Sequence, residues 1–415
     1  MDGARACRLG RARLSASLSR RAPPRGVAMS DAAAATGNYV AAAEALAELI
    51  QASRAEMERA RRMPVPLVAA MAEAGLFALS MPRAWRGPEL DPMTQVRVVE
   101  ALSKADASTG WTAMLGLHAG YFIAFLEQAA ARAMYADLNA FTGGVTRPTG
   151  QAVRVRGGFR VTGRWALGSC CQHSRWLFSG CRVIEDGSPR LAADGGPEIR
   201  LCYLPGEAVE VIDTWNSTGL RGTGSHDYRI ADFFVPEEQS FDPLRAAVRR
   251  PEPLYGVRNM YLCNLAGIPL GIARAAIDAV LDLAQDKPTR IGTALKDEAH
   301  VQLALARAEA LLGGARGFFF DILEEIWATL TSGRPVSQRQ HALYRLAICN
   351  AYDAGVAAVD LMFKVGSSSA LDAAHPLDRA FRDIHAAAQH FVVSAKIEEA
   401  AGRVFLGLEP GVPSF

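Results

Sequence analysis

The hydrophobic period of this chain changes twice, and that divides it into three. From residue 38 to about 140 apolar residues recur every three or four positions. Between about 141 and 245 they alternate singly. From 246 onward the helical spacing returns. In the first stretch Leu46, Leu49, Ile50 and Met57 share one face of a helix expected over 39–62. Ser53 fills the gap in that stripe, and Glu44, Glu48, Arg54 and Glu58 lie off it. Pro64 and Pro66 end it. A second helix is expected over 65–74, stopped at Gly75. Asp91-Pro92-Met93-Thr94 opens a third, and 111–126 belongs to a fourth, strongly apolar one. In the middle, Val153, Val155, Phe159 and Val161 alternate with Arg154, Arg156, Arg160 and Thr162 about Gly157-Gly158, which is a hairpin signal. Segments 176–178, 199–204 and 232–235 add short strands, so a compact antiparallel sheet or barrel is expected. Four long Ala-rich helices over 265–284, 297–312, 342–365 and 379–404 then argue for a bundle.

The predicted class is therefore α+β, mainly α. It comprises a leader at 1–37, an N-terminal helical domain at 38–140, a central antiparallel β domain at 141–245 and a C-terminal four-helix bundle at 246–415. Strands and helices do not alternate, and no G-x-G-x-x-G follows a strand. Rossmann and P-loop nucleotide folds are disfavoured accordingly.

With 415 residues the chain is long enough for two or three domains. It shows no run of about 18 apolar residues, so no membrane span is expected. A net charge of +2 gives no footprint for nucleic acid. The first 28 residues hold seven arginines (Arg5, Arg8, Arg11, Arg13, Arg20, Arg21, Arg25) and one acid, Asp2, so the remainder carries 2 − (7 − 1) = −4. That segment lacks the apolar stretch of a secretory signal. It fits either a mitochondrial transit peptide or, as preferred here, an upstream start with Met29 as the true beginning. Seven cysteines, an odd number without C-x-x-C pairs, indicate a reduced, cytoplasmic chain. Cys170, Cys171 and His173 match no zinc spacing, and no metal site is expected.

Several local motifs follow one another in a telling order. They are Asp106-Ala107-Ser108-Thr109-Gly110-Trp111, Gly163-Arg164-Trp165 with Ser169, and the run from Trp215 to Asp227 containing Leu220-Arg221-Gly222-Thr223-Gly224-Ser225-His226. Pro376-Leu377-Asp378-Arg379 and Arg382-Asp383 complete the set. Over about residues 38–410 the chain resembles the acyl-CoA dehydrogenase fold. Within it, the motifs resemble the oxygenase components of two-component flavin monooxygenases, which hydroxylate phenols, steroid-derived phenols and polyketides or oxygenate sulfur. The dehydrogenase branch places its catalytic glutamate just after the position of His390, where this chain has Phe391. The alternative address lies near Tyr261, again without a carboxylate, and Glu398 and Glu399 come about two turns later. A general base must lie within hydrogen-bond reach of its proton. A dehydrogenase with a relocated base is thus the alternative, not the leading expectation.

The resemblance implies FMNH2 or FADH2 as cofactor, O2 as co-substrate, a hydroperoxide at flavin C4a and an NAD(P)H-dependent flavin reductase as partner. It also implies a homotetramer formed through the bundle and a small aromatic or polycyclic phenol as substrate, with N- or S-oxygenation as alternatives. His390 falls where relatives keep a catalytic histidine, and imidazole titrates near neutrality. His118 falls where they keep a substrate-side one. It lies in the apolar run Leu115-Gly116-Leu117-His118, where a buried ring needs a partner. Ser169 stands where a serine bonds flavin N5, followed by Cys170 in place of a common glycine. A satisfied core or turn residue is the bland alternative for each. Trp165 and Trp111 are candidates to pack on flavin or substrate, or else in the core. Arg221, Gly222 and Thr223, with Gly224 and Ser225, offer donors to a flavin phosphate, or form an ordinary turn. Arg290 corresponds to an arginine holding cofactor phosphate across a subunit boundary. His385 precedes His390 by five residues, about 500° of helical rotation, so it faces elsewhere: toward the site's edge or a subunit contact.

Overall fold

The computed structural model describes residues 38–288, 292, 294–412 and 415, so the leader, Met29 and Arg290 lie outside the described residues. The first expected helix is two, α1 (Tyr39–Ala45) and α2 (Ala47–Ala60), broken at Leu46. α3 (Val65–Glu73) follows Pro64. α4 (Pro92–Ala105) starts at Asp91, whose carboxylate accepts from Thr94 N, with Pro92 in the first turn where its missing N–H is not needed. Asp106 ends α4 and begins α5 (Ala107–Phe122). Its extended backbone turns the chain, its N–H bonds Leu102 O, and its carboxylate caps Thr109 N at 3.0 Å. Every residue of α5 is buried, which makes it the central helix of the molecule. Close packing of α4 on α5 needs Gly110, where a Cβ would sit 1.9 Å from Ser103 Oγ. The short α6 (Gln128–Met134) leads into the sheet.

The sheet has eight strands: β1 (Thr142–Val155), β2 (Gly158–Gly168), β3 (Trp176–Glu185), β4 (Ser188–Pro189), β5 (Ile199–Pro205), β6 (Glu210–Ile212), β7 (His226–Pro236) and β8 (Ser240–Phe241). Its order is β6-β7-β2-β1-β3-β5-β8, with β4 against β3. The expected hairpin is present, but Val155 pairs Gly158, so the turn is Arg156-Gly157, with Gly157 at φ +82°. One expectation is corrected: the sheet is mixed, because β1 and β3 run parallel from Thr142↔Trp176 to Val153↔Ile184. Geometry explains this. β2 comes back down one side of β1, and segment 169–175 then crosses beneath the start of β1, where Arg175 N bonds Phe141 O at 2.8 Å. The chain therefore re-enters beside β1 in the same direction. One sheet face gives Phe178, Leu201, Tyr203 and Phe241 to the large helical core. The other buries Phe159, Trp165, Leu177, Cys181, Leu204 and Tyr228 in a smaller core of its own.

The bundle is α7 (Gly267–Asp286), α8 (Ala299–Thr331), α9 (Gln338–Gly366), α10 (Pro376–Ala387) and α11 (Ala395–Phe405). α8 runs far beyond the expected segment. Gly313, Gly314 and Gly317 each weaken a helix, but Leu312, Ala315, Phe319, Phe320 and Leu323 keep one face buried past them. The last expected helix is also two. At His390 the backbone is extended (φ −70°, ψ 132°) and caps a 3-10 turn at Phe391–Val393 before α11 begins. His390 is thus not on the helix of His385, and helical rotation does not relate them. The N-terminal helices and the bundle share one core rather than two. Two segments, Met260–Gln285 and Gln338–Leu371, are long and apolar enough to cross a membrane. Their apolar windows are 83% and 56% buried within the chain, as core helices are.

Candidate functional site

Three elements meet beside α5. The crossing segment 169–175 brings Ser169, the 219–225 loop brings Thr223 and Ser225, and the break after α10 brings His390. α5 contributes Trp111 and His118, seven residues apart and hence on one helical face. Trp111 joins the groups: its Nε1 donates to Ser169 Oγ at 3.2 Å, and its ring meets His390 edge-on at 5.6 Å between centroids. Ser169 Oγ lies 2.7 Å from Ser225 Oγ, which lies 2.7 Å from Thr223 Oγ1. Cys170 N donates to Thr223 O at 2.7 Å, and Cys170 holds φ +56°, the left-handed region where a glycine would be unstrained. Its thiol is pushed up to about 12 by burial, which leaves it inert.

His118 sits among Phe122, Phe178 and Tyr261, with Tyr261 at 4.7 Å between centroids. Its Nε2 is buried without a hydrogen-bond partner among the described residues. Burial, and then repulsion from His390, lower its pKa to about 3. Burial lowers His390 to about 4, and its Nδ1 accepts from Val392 N at 3.4 Å. Both imidazoles are neutral at pH 7. Among the described residues no carboxylate is among the groups acting on either, and Phe391 is turned to the surface.

A half-buried ion-pair cluster holds the loop in place. Glu58 of α2 receives Arg221 at 3.1 Å, Arg382 at 3.2 Å and Arg379 at 3.6 Å, and Arg379 also meets Asp106 at 3.1 Å. Asp383 Oδ1 accepts from Leu220 N at 2.6 Å. Burial and then the neighbouring Asp106 push its carboxyl upward, against the pull of that N–H, Arg379 and Arg382. Only glycine fits at 219, where a Cβ would lie 2.1 Å from Arg382 O.

Ser169, His390, Trp111 and His118 lie around α5, and Thr223, expected to face a phosphate, instead joins the hydroxyls beside Ser169. Four other candidates do not join them. Trp165 is fully buried in the small core, donating to Gly180 O at 2.7 Å and stacked on Tyr228, so it is a packing residue. Arg221 spends its guanidinium on Glu58 and on Ser217 O, facing the ion-pair cluster rather than a phosphate. Gly222 is packed so tightly that a Cβ would lie 2.9 Å from Ser108 Cβ. His385 bonds Asp360 Oδ1 at 3.0 Å and packs on Phe381, on the far side of α10. Sequence reasoning missed the tie from Asp383 to Leu220 and the aromatic role of Tyr261. Asp383 stands in the Arg382-Asp383 motif and Tyr261 in a segment notable for lacking a carboxylate, so neither residue's partner is encoded nearby. A cavity of about 720 Å3 lined by Pro253, Arg334, His341 and Phe415 lies at the α8–α9 connection and involves none of these site residues.

Helices, crossing sheet and bundle in this order define the acyl-CoA dehydrogenase fold. The profile described as "Acyl-CoA dehydrogenase, N-terminal domain" matches residues 40–135, and "Acyl-CoA dehydrogenase, C-terminal domain" matches 264–395. Indole-3-acetate monooxygenase of Pseudomonas putida is 29% identical over 360 residues, covering 86% of this chain and 90% of that one. The flavin-dependent monooxygenase oxygenase subunit HsaA of Rhodococcus jostii is 28% identical, over 84% and 92%. The crystal structure of 3-HSA hydroxylase from Rhodococcus sp. RHA1 superposes with a TM-score of 0.84 at 26% identity, over 91% of this chain and 98% of that one. The chain belongs to the flavin-dependent monooxygenases built on the acyl-CoA dehydrogenase fold, as an oxygenase component.

Proposed function

We propose that this chain hydroxylates a small phenolic or indolic ring, using O2 and FMNH2 or FADH2 delivered by a separate NAD(P)H-dependent flavin reductase. The observation that carries this reading is His390 edge-on to Trp111, with neutral His118 on the same face of α5 and no carboxylate among the described groups acting on either imidazole. The residues suit a flavin: a hydroxyl cluster, a flat indole, and a buried imidazole nitrogen still lacking a partner. When bound, the reduced flavin supplies the electrons that activate O2. Ser169 would hold its edge, and Trp111 keeps Ser169 in place. His118 would give its unpaired Nε2 to a substrate hydroxyl or ring N–H. Phe122, Phe178 and Tyr261 form an apolar wall that excludes water. His390, neutral and weakly basic, would take the phenolic proton. That proton becomes acidic as the ring is attacked, so a strong base is not needed.

A homotetramer, Arg290 on cofactor phosphate across the boundary, and a cytoplasmic location complete the proposal. The exposed Leu303, Gly313, Gly314 and Gly317 of α8 offer a flat face for such assembly. The test mixes the protein anaerobically with FMNH2 or FADH2, then adds O2 and a panel of phenols, indoles and thioethers. Hydroxylated or oxygenated product in step with flavin oxidation is expected. Reoxidation like that of free flavin, with no product, would sink the proposal, and bleaching of bound oxidised flavin by an acyl-CoA would favour a dehydrogenase.

A further inference from the structure

The hydroxyls beside Ser169 form a chain whose direction is set at its far end. Thr223 Oγ1 lies 2.8 Å from Leu220 O. A carbonyl only accepts, so Thr223 donates there and its single proton is spent. Ser225 Oγ, 2.7 Å from Thr223 Oγ1, therefore donates to it. Ser169 Oγ, 2.7 Å from Ser225 Oγ, in turn donates to Ser225. Trp111 Nε1 can only donate, and at 3.2 Å it fills one lone pair of Ser169. What Ser169 retains for a molecule bound against it is a lone pair. Reversing the chain would leave Thr223 Oγ1 and Leu220 O at 2.8 Å with no proton between them. Among the described residues Leu220 O would keep only the Thr223 N–H at 3.0 Å, and since Thr223 and Ser225 are buried, water does not replace the lost hydroxyl bond.

We infer that Thr223 and Ser225 make the site selective for reduced over oxidised flavin, by fixing Ser169 as a hydrogen-bond acceptor toward flavin N5. The inference rests on the proposed placement of flavin against Ser169. N5 of a reduced isoalloxazine carries a hydrogen and donates, whereas N5 of the oxidised ring carries a lone pair and accepts. An acceptor facing N5 pairs with the first and repels the second. For an oxygenase that receives its flavin reduced and must release it oxidised, this polarity favours loading before turnover and discharge after it. Ser169 supplies the contact, and Thr223 and Ser225 supply its sign.

The test is anaerobic equilibrium binding of reduced and oxidised FMN and FAD to the full chain and four variants, with thermal melts to confirm folding. The unaltered protein is expected to prefer reduced flavin. Thr223→Val frees Ser225 to donate to Ser169, and Ser169 to donate outward. The preference should then move toward oxidised flavin by about 25-fold, as one hydrogen bond worth about fivefold is lost and another gained. Ser225→Ala should do the same, and it carries the test if Thr223→Val does not fold. Thr223→Ser keeps the hydroxyl and should keep the original ratio. Ratios within about twofold of the original in both Thr223→Val and Ser225→Ala, while Ser169→Ala alters binding, would overturn the inference. If Ser169→Ala changes neither affinity, the placement of flavin against Ser169 falls, and the inference with it.

Discussion

The two walls of this site are built on opposite principles. On the sheet side, Ser169, Ser225 and Thr223 bond one another, Trp111 and a backbone carbonyl, so the hydroxyl wall is nearly saturated. On the helix side, His118 keeps a buried nitrogen with no partner among the described residues, and His390 makes a long backbone contact. A saturated network is rigid and holds a fixed shape, whereas an unsatisfied buried group stores a cost that a ligand can relieve. The first wall is suited to hold a cofactor in one orientation. The second is suited to meet a substrate that changes its protonation.

The sharpest way to break this division is to remove one group from each wall. His390→Ala should lower product formation by about 100-fold or more, the usual worth of a proton-transfer group. Reduced-flavin affinity should stay within a few-fold, and flavin oxidation should continue with release of hydrogen peroxide. Ser169→Ala should do the reverse, weakening flavin binding by about fivefold to tenfold with a smaller effect on product per flavin oxidised. Product yield and peroxide measured side by side decide it. Equal losses of flavin affinity in both variants would erase the distinction. In the unaltered enzyme the acid limb of kcat/KM should fall well below pH 6.5, since His390 takes up its proton only near pH 4.

The next largest effect concerns what holds the walls together. Asp383 gives its carboxylate to Leu220 N, and Asp383→Ala leaves that buried N–H unpaired beside Arg379 and Arg382. A stability loss of about 2 kcal/mol is expected in denaturant melts. Asp383→Asn keeps an acceptor and should cost less. It should also change the pH profile in a known direction. The folded carboxyl keeps its proton above the ordinary range, so its ionisation opposes folding as pH rises past about 4. The amide removes that penalty, and the variant should gain relative to the original as pH increases. A loss equal to that of Asp383→Ala at every pH would show that charge, not the hydrogen bond, secures the loop.

Periodicity made most of the helical frame legible, because a buried stripe is a local signal. Non-local geometry was not. The parallel pairing of β1 with β3 depends on where segment 169–175 crosses, which no residue in β1 or β3 encodes. The break at His390 was hidden because 379–404 is Ala-rich and apolar at helical spacing. Only the imidazole's own capping bond and the extended backbone at 390 and 394 reveal it. Trp165 and Arg221 show the same limit. Their types suit a flavin site, but Trp165 points to the inner side of the sheet and Arg221 finds Glu58 from 163 residues away. His118 was legible because an imidazole in a wholly apolar helix needs a reason.

That histidine provides the smallest and most selective measurement. Folded His118 takes a proton only near pH 3, whereas an unfolded histidine takes one near pH 6.5. Protons therefore favour the unfolded chain in that window, and stability falls as pH drops from about 6.5 toward 3. His118→Phe removes one such group and also the unpaired nitrogen. It should be neutral or slightly stabilising at pH 7, and it should lose about 1 kcal/mol less than the original between pH 6 and pH 5. Substrate KM should rise while reduced-flavin affinity is unchanged, because the lost nitrogen belongs to the open wall. Ser225→Ala is the matching cut in the closed wall, and since no proton equilibrium is tied to it, it should leave the acid profile as it was. An acid profile unchanged by His118→Phe would mean that His118 is already protonated or paired in the folded chain, and the contrast between the walls would rest on His390 alone.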